Sequence, residues 1–128
     1  MIPLASLEVY ERSVQPHVAE RCGSGGCHGR EERPLALYTP GAYRADPARV
    51  FLDEPLTAWE LRENARRLSA MALGVRAERS VVVLKPLALE AGGLWHGGGD
   101  VFTELDDPAC RVLSAWLDAR TSADAGAP

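Results

Sequence analysis

Cys22-Gly23-Ser24-Gly25-Gly26-Cys27-His28-Gly29 is the stretch that decides how this chain folds. Its four glycines rule out a regular element, and it sets two thiols and an imidazole within seven residues of one another. Upstream, Leu7, Tyr10, Val14 and Val18 recur at spacings of three and four, which predicts a helix over Leu7 to Arg21 with one apolar face. Pro16 lacks an amide hydrogen and is expected to kink or restart that helix, with Ser13 as the new cap. The stretch therefore reads as a helix running into a glycine loop, with Cys22, Cys27 and His28 at the exit. The glycines let the loop bulge through positive φ.

Working outward, residues 30 to 55 are broken by Pro34, Pro40, Gly41, Pro47 and Pro55, leaving Leu35, Leu37 and Tyr38 as core anchors. A second helix starts at Thr57 and Glu60, a T-x-x-E capping box, and stops near Gly74. Leu61, Ala65, Leu68 and Ala72 form its buried stripe, and Arg62, Glu63, Arg66 and Arg67 are expected to face water. Ser80 to Leu84 fits a strand or a short helix equally well. Gly92 to Asp100 is a second glycine-rich loop, enclosing Trp95 and His96. Asp107-Pro108, a good N-cap followed by proline at the first helical position, opens a last helix to about Arg120 that buries Val112, Leu113, Trp116 and Leu117. The expectation is an all-α chain with long Gly/Pro-rich loops: one domain over residues 1–120 and a flexible C-terminal tail over 121–128.

The bulk chemistry removes several function classes. With 128 residues and a net charge of −4, the chain lacks the basic face that nucleic acid demands. No apolar run approaches the roughly 18 to 20 residues that span a bilayer. Met1 to Glu8 lacks the basic start and the uninterrupted apolar run of a signal peptide. No Ser-His-Asp order, phosphate loop or carboxylate pair points to an enzyme in its own right. Twelve glycines, nine prolines and 6% aromatics leave a thin apolar core, which a bound prosthetic group would fill. Three cysteines are too few for a disulfide framework, and Cys110, alone in a helical context, reads as a small buried hydrophobe.

Two close thiols with an imidazole directly after the second are what covalent haem attachment requires. Both vinyl groups of one porphyrin must be reached, and the same turn must deliver a nitrogen to iron. The usual form is C-x-x-C-H, and here the spacing is C-x4-C-H. Val14-Gln-Pro-His-Val-Ala-Glu-Arg-Cys22, Ser80-Val-Val-Val-Leu-Lys-Pro-Leu87, Trp95-His-Gly-Gly-Gly-Asp-Val-Phe102 and Asp107-Pro-Ala-Cys-Arg-Val-Leu-Ser-Ala-Trp-Leu117 follow in order. Together these resemble the monohaem c-type cytochrome domains of planctomycete and myxobacterium type, over about residues 10 to 118. Two departures are the two extra residues between the thiols and Cys110 in place of an aromatic.

The resemblance implies a cytochrome c-like fold with crossing first and last helices. It implies one covalent haem c on Cys22 and Cys27, with His28 as proximal iron ligand. For the distal ligand it points to His96 in the H-x-G-G loop. Met71 is the rival, since methionine is the other common sixth ligand, although its place on a helix reads as plain core. It further implies an electron carrier working with redox partner proteins, alone or as a module of a larger oxidoreductase, in the periplasm or otherwise exported. Lys85 and the arginines are candidates to pair with the haem propionates, and His17 reads as a surface histidine. Two other readings stand beside it: a zinc-stabilised domain with Cys22, Cys27, His96 and Cys110 as ligands, and a haemless interaction domain of related fold.

Overall fold

In the computed structural model, which describes residues 2–72, 74–97 and 99–125, the chain is all-α. Helices α1 (Leu4–Val9) and α2 (Gln15–Arg21) are joined by a π-helical turn, Tyr10–Val14. Helices α3 (Ala58–Met71), α4 (Val81–Leu84) and α5 (Pro108–Ala125) follow, with 3-10 turns at Pro47–Arg49, Ala77–Arg79 and Leu89–Ala91. Among the described residues the only β pairings are two isolated bridges, Thr39 with Tyr43 and Leu87 with Phe102. None of the described helices is long and apolar enough to cross a membrane.

The chain divides into two compact units, Met1–Arg67 and Leu68–Pro128. In the N-terminal unit the helix expected over Leu7 to Arg21 begins earlier and is interrupted. Pro16 cannot donate to the ladder, and its ring crowds the preceding turn, so the chain widens into the π-turn just before it. Ser13 lies inside that turn and caps nothing; Val14 holds the N-cap position of α2 without a side-chain bond. The expected apolar face survives the defect, because Tyr10, Val14 and Val18 are all buried. Leu37 and Tyr38 join them in the core, and Tyr38 stacks on Tyr43 at 4.6 Å between ring centroids.

The capping box on α3 forms: the Glu60 amide donates to Thr57 Oγ1 at 3.1 Å, and the Thr57 amide donates to Glu60 Oε1 at 2.9 Å. Ala65, Leu68 and Ala72 are buried as the stripe requires, and two polar residues, Glu60 and Asn64, are buried with them. Arg67 is half-buried rather than turned fully to water. Its Nη1 donates to the Ala36 carbonyl at 2.8 Å, and its guanidinium lies over the Tyr38 ring.

In the C-terminal unit, Ser80 to Leu84 resolves as helix α4 after the 3-10 turn rather than as a strand. The Ala77 amide ties that turn to α5 through Asp118 Oδ1 at 2.9 Å. Asp107 caps α5 as expected, accepting from the Ala109 amide at 2.9 Å. The buried residues of α5 are Ala109, Cys110, Leu113, Trp116, Leu117 and Arg120, while Val112 is half-buried. The helical backbone continues to Ala125, and residues 126–128 of the expected tail lie outside the described residues.

Candidate functional site

The Cys22–Gly29 loop is built from main-chain hydrogen bonds. As α2 ends, the amides of Cys22 and Gly23 both donate to the Val18 carbonyl, at 2.9 and 2.8 Å. The Ser24 carbonyl then accepts from Cys27 and from Gly29, each at 2.9 Å. The His28 amide closes the ring by donating to the Cys22 carbonyl at 3.0 Å. The loop does not bulge through positive φ, as none of its four glycines lies in that region. Glycine is required here by close approach instead. A Cβ on Gly29 would collide with the Gly23 carbonyl oxygen, whereas Gly25 and Gly26 face open space. Arg33 closes the outside, with Nε donating to the Cys27 carbonyl at 2.8 Å and Nη2 to the Gly26 carbonyl at 3.0 Å.

His28 is fixed at both ends. Its carbonyl accepts from the Leu37 amide at 2.8 Å, and its ring Nδ1 lies 2.7 Å from the Leu35 carbonyl oxygen. A carbonyl can only accept, so Nδ1 carries the proton, and Nε2 of the neutral ring is the nitrogen with the lone pair. That tautomer suits metal binding through Nε2, and it is held by the kind of carbonyl contact that orients metal-binding histidines.

The residues directly after Leu35 are in turn held by α3. Asn64, fully buried, accepts from the Tyr38 amide at 2.8 Å and donates to the Tyr38 carbonyl at 2.9 Å. Arg67 takes the Ala36 carbonyl, so residues 36–38 are clamped along their length. Asn64 also donates to Gln15 Oε1 at 3.2 Å, and the same oxygen accepts from the Tyr10 hydroxyl at 2.7 Å. A second clamp serves the following loop. Arg44 and Glu60 form a buried bidentate pair at 3.0 and 2.9 Å, and Arg44 also donates to the carbonyls of Glu54 and Pro55. Burial opposes ionisation of Glu60, but hydrogen bonds from Arg44 and from the Thr57 and Ala45 amides prevail and hold its carboxyl at about 2.

The thiols differ. Burial, reinforced by the neighbouring Cys27, pushes the Cys22 thiol up to about 11, so at neutral pH it is kept as the thiol. Cys22 and Cys27 are both half-buried and unbridged. Cys110, with no exposed surface, is the small buried residue the sequence predicts. Burial again raises its thiol, and Ser114 Oγ lies 4.0 Å from its sulfur.

His96 and Met71 belong to the C-terminal unit. The loop carrying His96 is pinned at its base: Leu94 donates to Leu84, Ala88 to Phe102, and both Val101 and Phe102 to Pro86, at 2.8 to 2.9 Å. At Gly93 a Cβ would collide with the Leu87 carbonyl oxygen. His96 Nδ1 lies 3.2 Å from the Gly99 carbonyl, so this imidazole, too, carries its proton on Nδ1. Trp95 beside it is exposed and plugs no core. Met71, the last residue of α3, is 42% exposed rather than plain core. His17 is half-buried and Lys85 exposed.

Of the residues singled out in the sequence, Cys22, Cys27 and His28 are thus brought together on one loop, and His96 and Met71 are described within their own unit. Among the described residues, no group of three or more His, Cys, Asp or Glu side chains gathers as around a metal ion. No protein-family model, no curated protein and no solved structure matches this chain.

Proposed function

We propose that the chain is an electron carrier holding one covalently attached haem c, in a cytochrome c-like fold, with Cys22 and Cys27 as attachment thiols and His28 as proximal iron ligand. The observation that carries this reading is the His28 ring: its Nδ1–H is committed to the Leu35 carbonyl, directly after a thiol and on a loop closed back onto the other. The donor set fits a haem chemically: two unbridged thiols for the two vinyl groups and one oriented imidazole for iron.

Bound haem would supply a one-electron Fe(III)/Fe(II) couple. The protein's part is orientation. The Leu35 carbonyl fixes the tautomer and rotation of His28, and Asn64 and Arg67 fix residues 36–38 directly after it. Cys22 and Cys27 would hold the haem as its two attachment thiols. His96, with the same ring tautomer, is the proposed distal ligand, and Met71 is the alternative. A carrier of this kind works with redox partner proteins, and covalent haem attachment places it in an exported compartment.

Protein produced in an exporting host with haem-maturation machinery should stay red after denaturation and weigh one haem more than the polypeptide. Cys22→Ser with Cys27→Ser should be colourless under the same conditions. A colourless wild-type protein that binds zinc tightly instead would overturn the reading.

A further inference from the structure

The four residues between the thiols pose a problem that the glycines do not solve. Gly25 and Gly26 take ordinary negative φ and touch nothing where a side chain would begin, so neither backbone permission nor close packing fixes the second half of the insert. Its carbonyls are fixed from outside. Arg33, six residues beyond Cys27, places Nε on the Cys27 carbonyl at 2.8 Å and Nη2 on the preceding Gly26 carbonyl at 3.0 Å. Two parallel N–H donors along one edge of a planar guanidinium, set on two successive carbonyls, define an orientation as well as a position, which a single-point donor cannot do. The neighbouring Arg30 does something else, pairing with the Glu32 carboxylate.

We infer that Arg33 is the positioning residue of the attachment loop: it braces the lengthened insert so that Cys27 is presented in register with Cys22. The inference rests on the haem-attachment reading for its purpose, but the brace itself is a property of the haem-free chain. With Arg33 in place, the Gly26–Cys27 peptide is held against the segment that follows His28. Without it, Cys27 is anchored only by the main-chain bonds of the Cys27 amide to Ser24 and of the His28 amide to Cys22, and the Gly26 and Cys27 carbonyls lose their side-chain partner.

The test uses the full chain, haem-free, with Cys110→Ala so that only two thiols count. Equilibration with glutathione buffers measures the effective concentration of one thiol at the other, as each Cys22–Cys27 disulfide formed reduces one oxidised glutathione to two thiols. Arg33→Ala should lower that effective concentration roughly three- to ten-fold, the range expected for two solvent-exposed charge-assisted hydrogen bonds. Arg33→Lys should fall between, and Arg30→Ala should leave it unchanged, with the helical circular dichroism of all three retained. In a maturation-competent host, Arg33→Ala should also lower the haem-bearing fraction. An unchanged ratio in Arg33→Ala, an equal fall in Arg30→Ala, or a wild-type chain that forms no Cys22–Cys27 disulfide at any buffer ratio overturns the brace. A fall in the ratio with no haem on the wild-type protein leaves the brace standing and removes the haem reading instead.

Discussion

Replacing Glu60 with glutamine tests the clamp on which the N-terminal unit depends, and its effect has a pH signature. The Glu60 carboxyl sits at about 2, against an ordinary 4.5. At about 1.4 kcal/mol for each tenfold change in proton affinity, that gap makes the ionised form worth about 3 kcal/mol to the fold. Exposure scarcely weakens the figure, because the two side chains are 0% and 2% exposed. A carboxyl whose folded value is depressed binds fewer protons in the folded state than in the unfolded one. Its contribution is therefore complete above about pH 4.5 and is lost as pH falls toward about 2. The amide of Glu60→Gln resembles the protonated acid, since each turns a donor toward Arg44, whose guanidinium is left buried without its counter-charge. Urea unfolding followed by circular dichroism should show Glu60→Gln less stable by about 3 kcal/mol at pH 7, with the difference shrinking below about 0.5 kcal/mol at pH 2. Equal stability at pH 7, or a difference that persists undiminished at pH 2, would refute the argument.

Two further outcomes follow from the loop and its support. Cys22, pushed up to about 11, should react with iodoacetamide at pH 8 about 100-fold more slowly than the same residue in the denatured chain, read by mass mapping of the modified peptide. Comparable rates in the two states would remove the claim that burial protects it. Asn64→Leu strips the partners from both the Tyr38 amide and the Tyr38 carbonyl, and should cost about 2 to 4 kcal/mol. Hydrogen exchange at the Tyr38 amide should accelerate with it, and unchanged protection there would show that Asn64 does not hold this segment.

The parts of the fold that were legible are those governed by local rules. The Thr57–Glu60 box, the Asp107–Pro108 start of α5 and the apolar spacing of Tyr10, Val14 and Val18 depend on residues no more than four apart, so the chain states them directly. What stayed hidden depends on partners far along the chain. Arg44 looks like a surface arginine in a loop until it meets Glu60, and Arg33 is one charge among several until its two carbonyls are in place. Asn64 did leave a signal: it falls on the buried face of α3 beside Ala65 and Leu68, and a polar residue there must find hydrogen-bond partners. The π-turn was half-visible, as a disturbance at Pro16 whose form was misjudged. The thiol and imidazole positions were read from the sequence, but the carbonyl that sets the His28 tautomer was not, because Leu35 offers only its backbone.

The two imidazoles share a tautomer but not a support, and this leads to a last prediction. The carbonyl facing His28, at a close 2.7 Å, belongs to Leu35, directly before the segment clamped by Asn64 and Arg67. The carbonyl facing His96 belongs to Gly99, three residues on, at a longer 3.2 Å in an exposed turn. Gly99 takes a φ of +84°, and its amide donates back to the His96 carbonyl at 2.9 Å. The Nδ1 contact of His96 is thus made within its own loop, at the longer distance. In the haem-bearing protein, His96 should be the ligand that exchanges. Imidazole or cyanide added to the ferric form should displace it, while the His28 side stays bound. His96→Ala should convert a low-spin spectrum to high-spin, or open it to added ligands, without loss of covalent haem. His28→Ala should instead lower the yield of attached haem. Gly99→Ala, which strains the left-handed turn, should act as a weaker form of His96→Ala, raising the apparent affinity for added imidazole. If Met71→Ala gives the high-spin spectrum and His96→Ala does not, the distal ligand is the methionine, and the turn at Gly99 has no part in holding it.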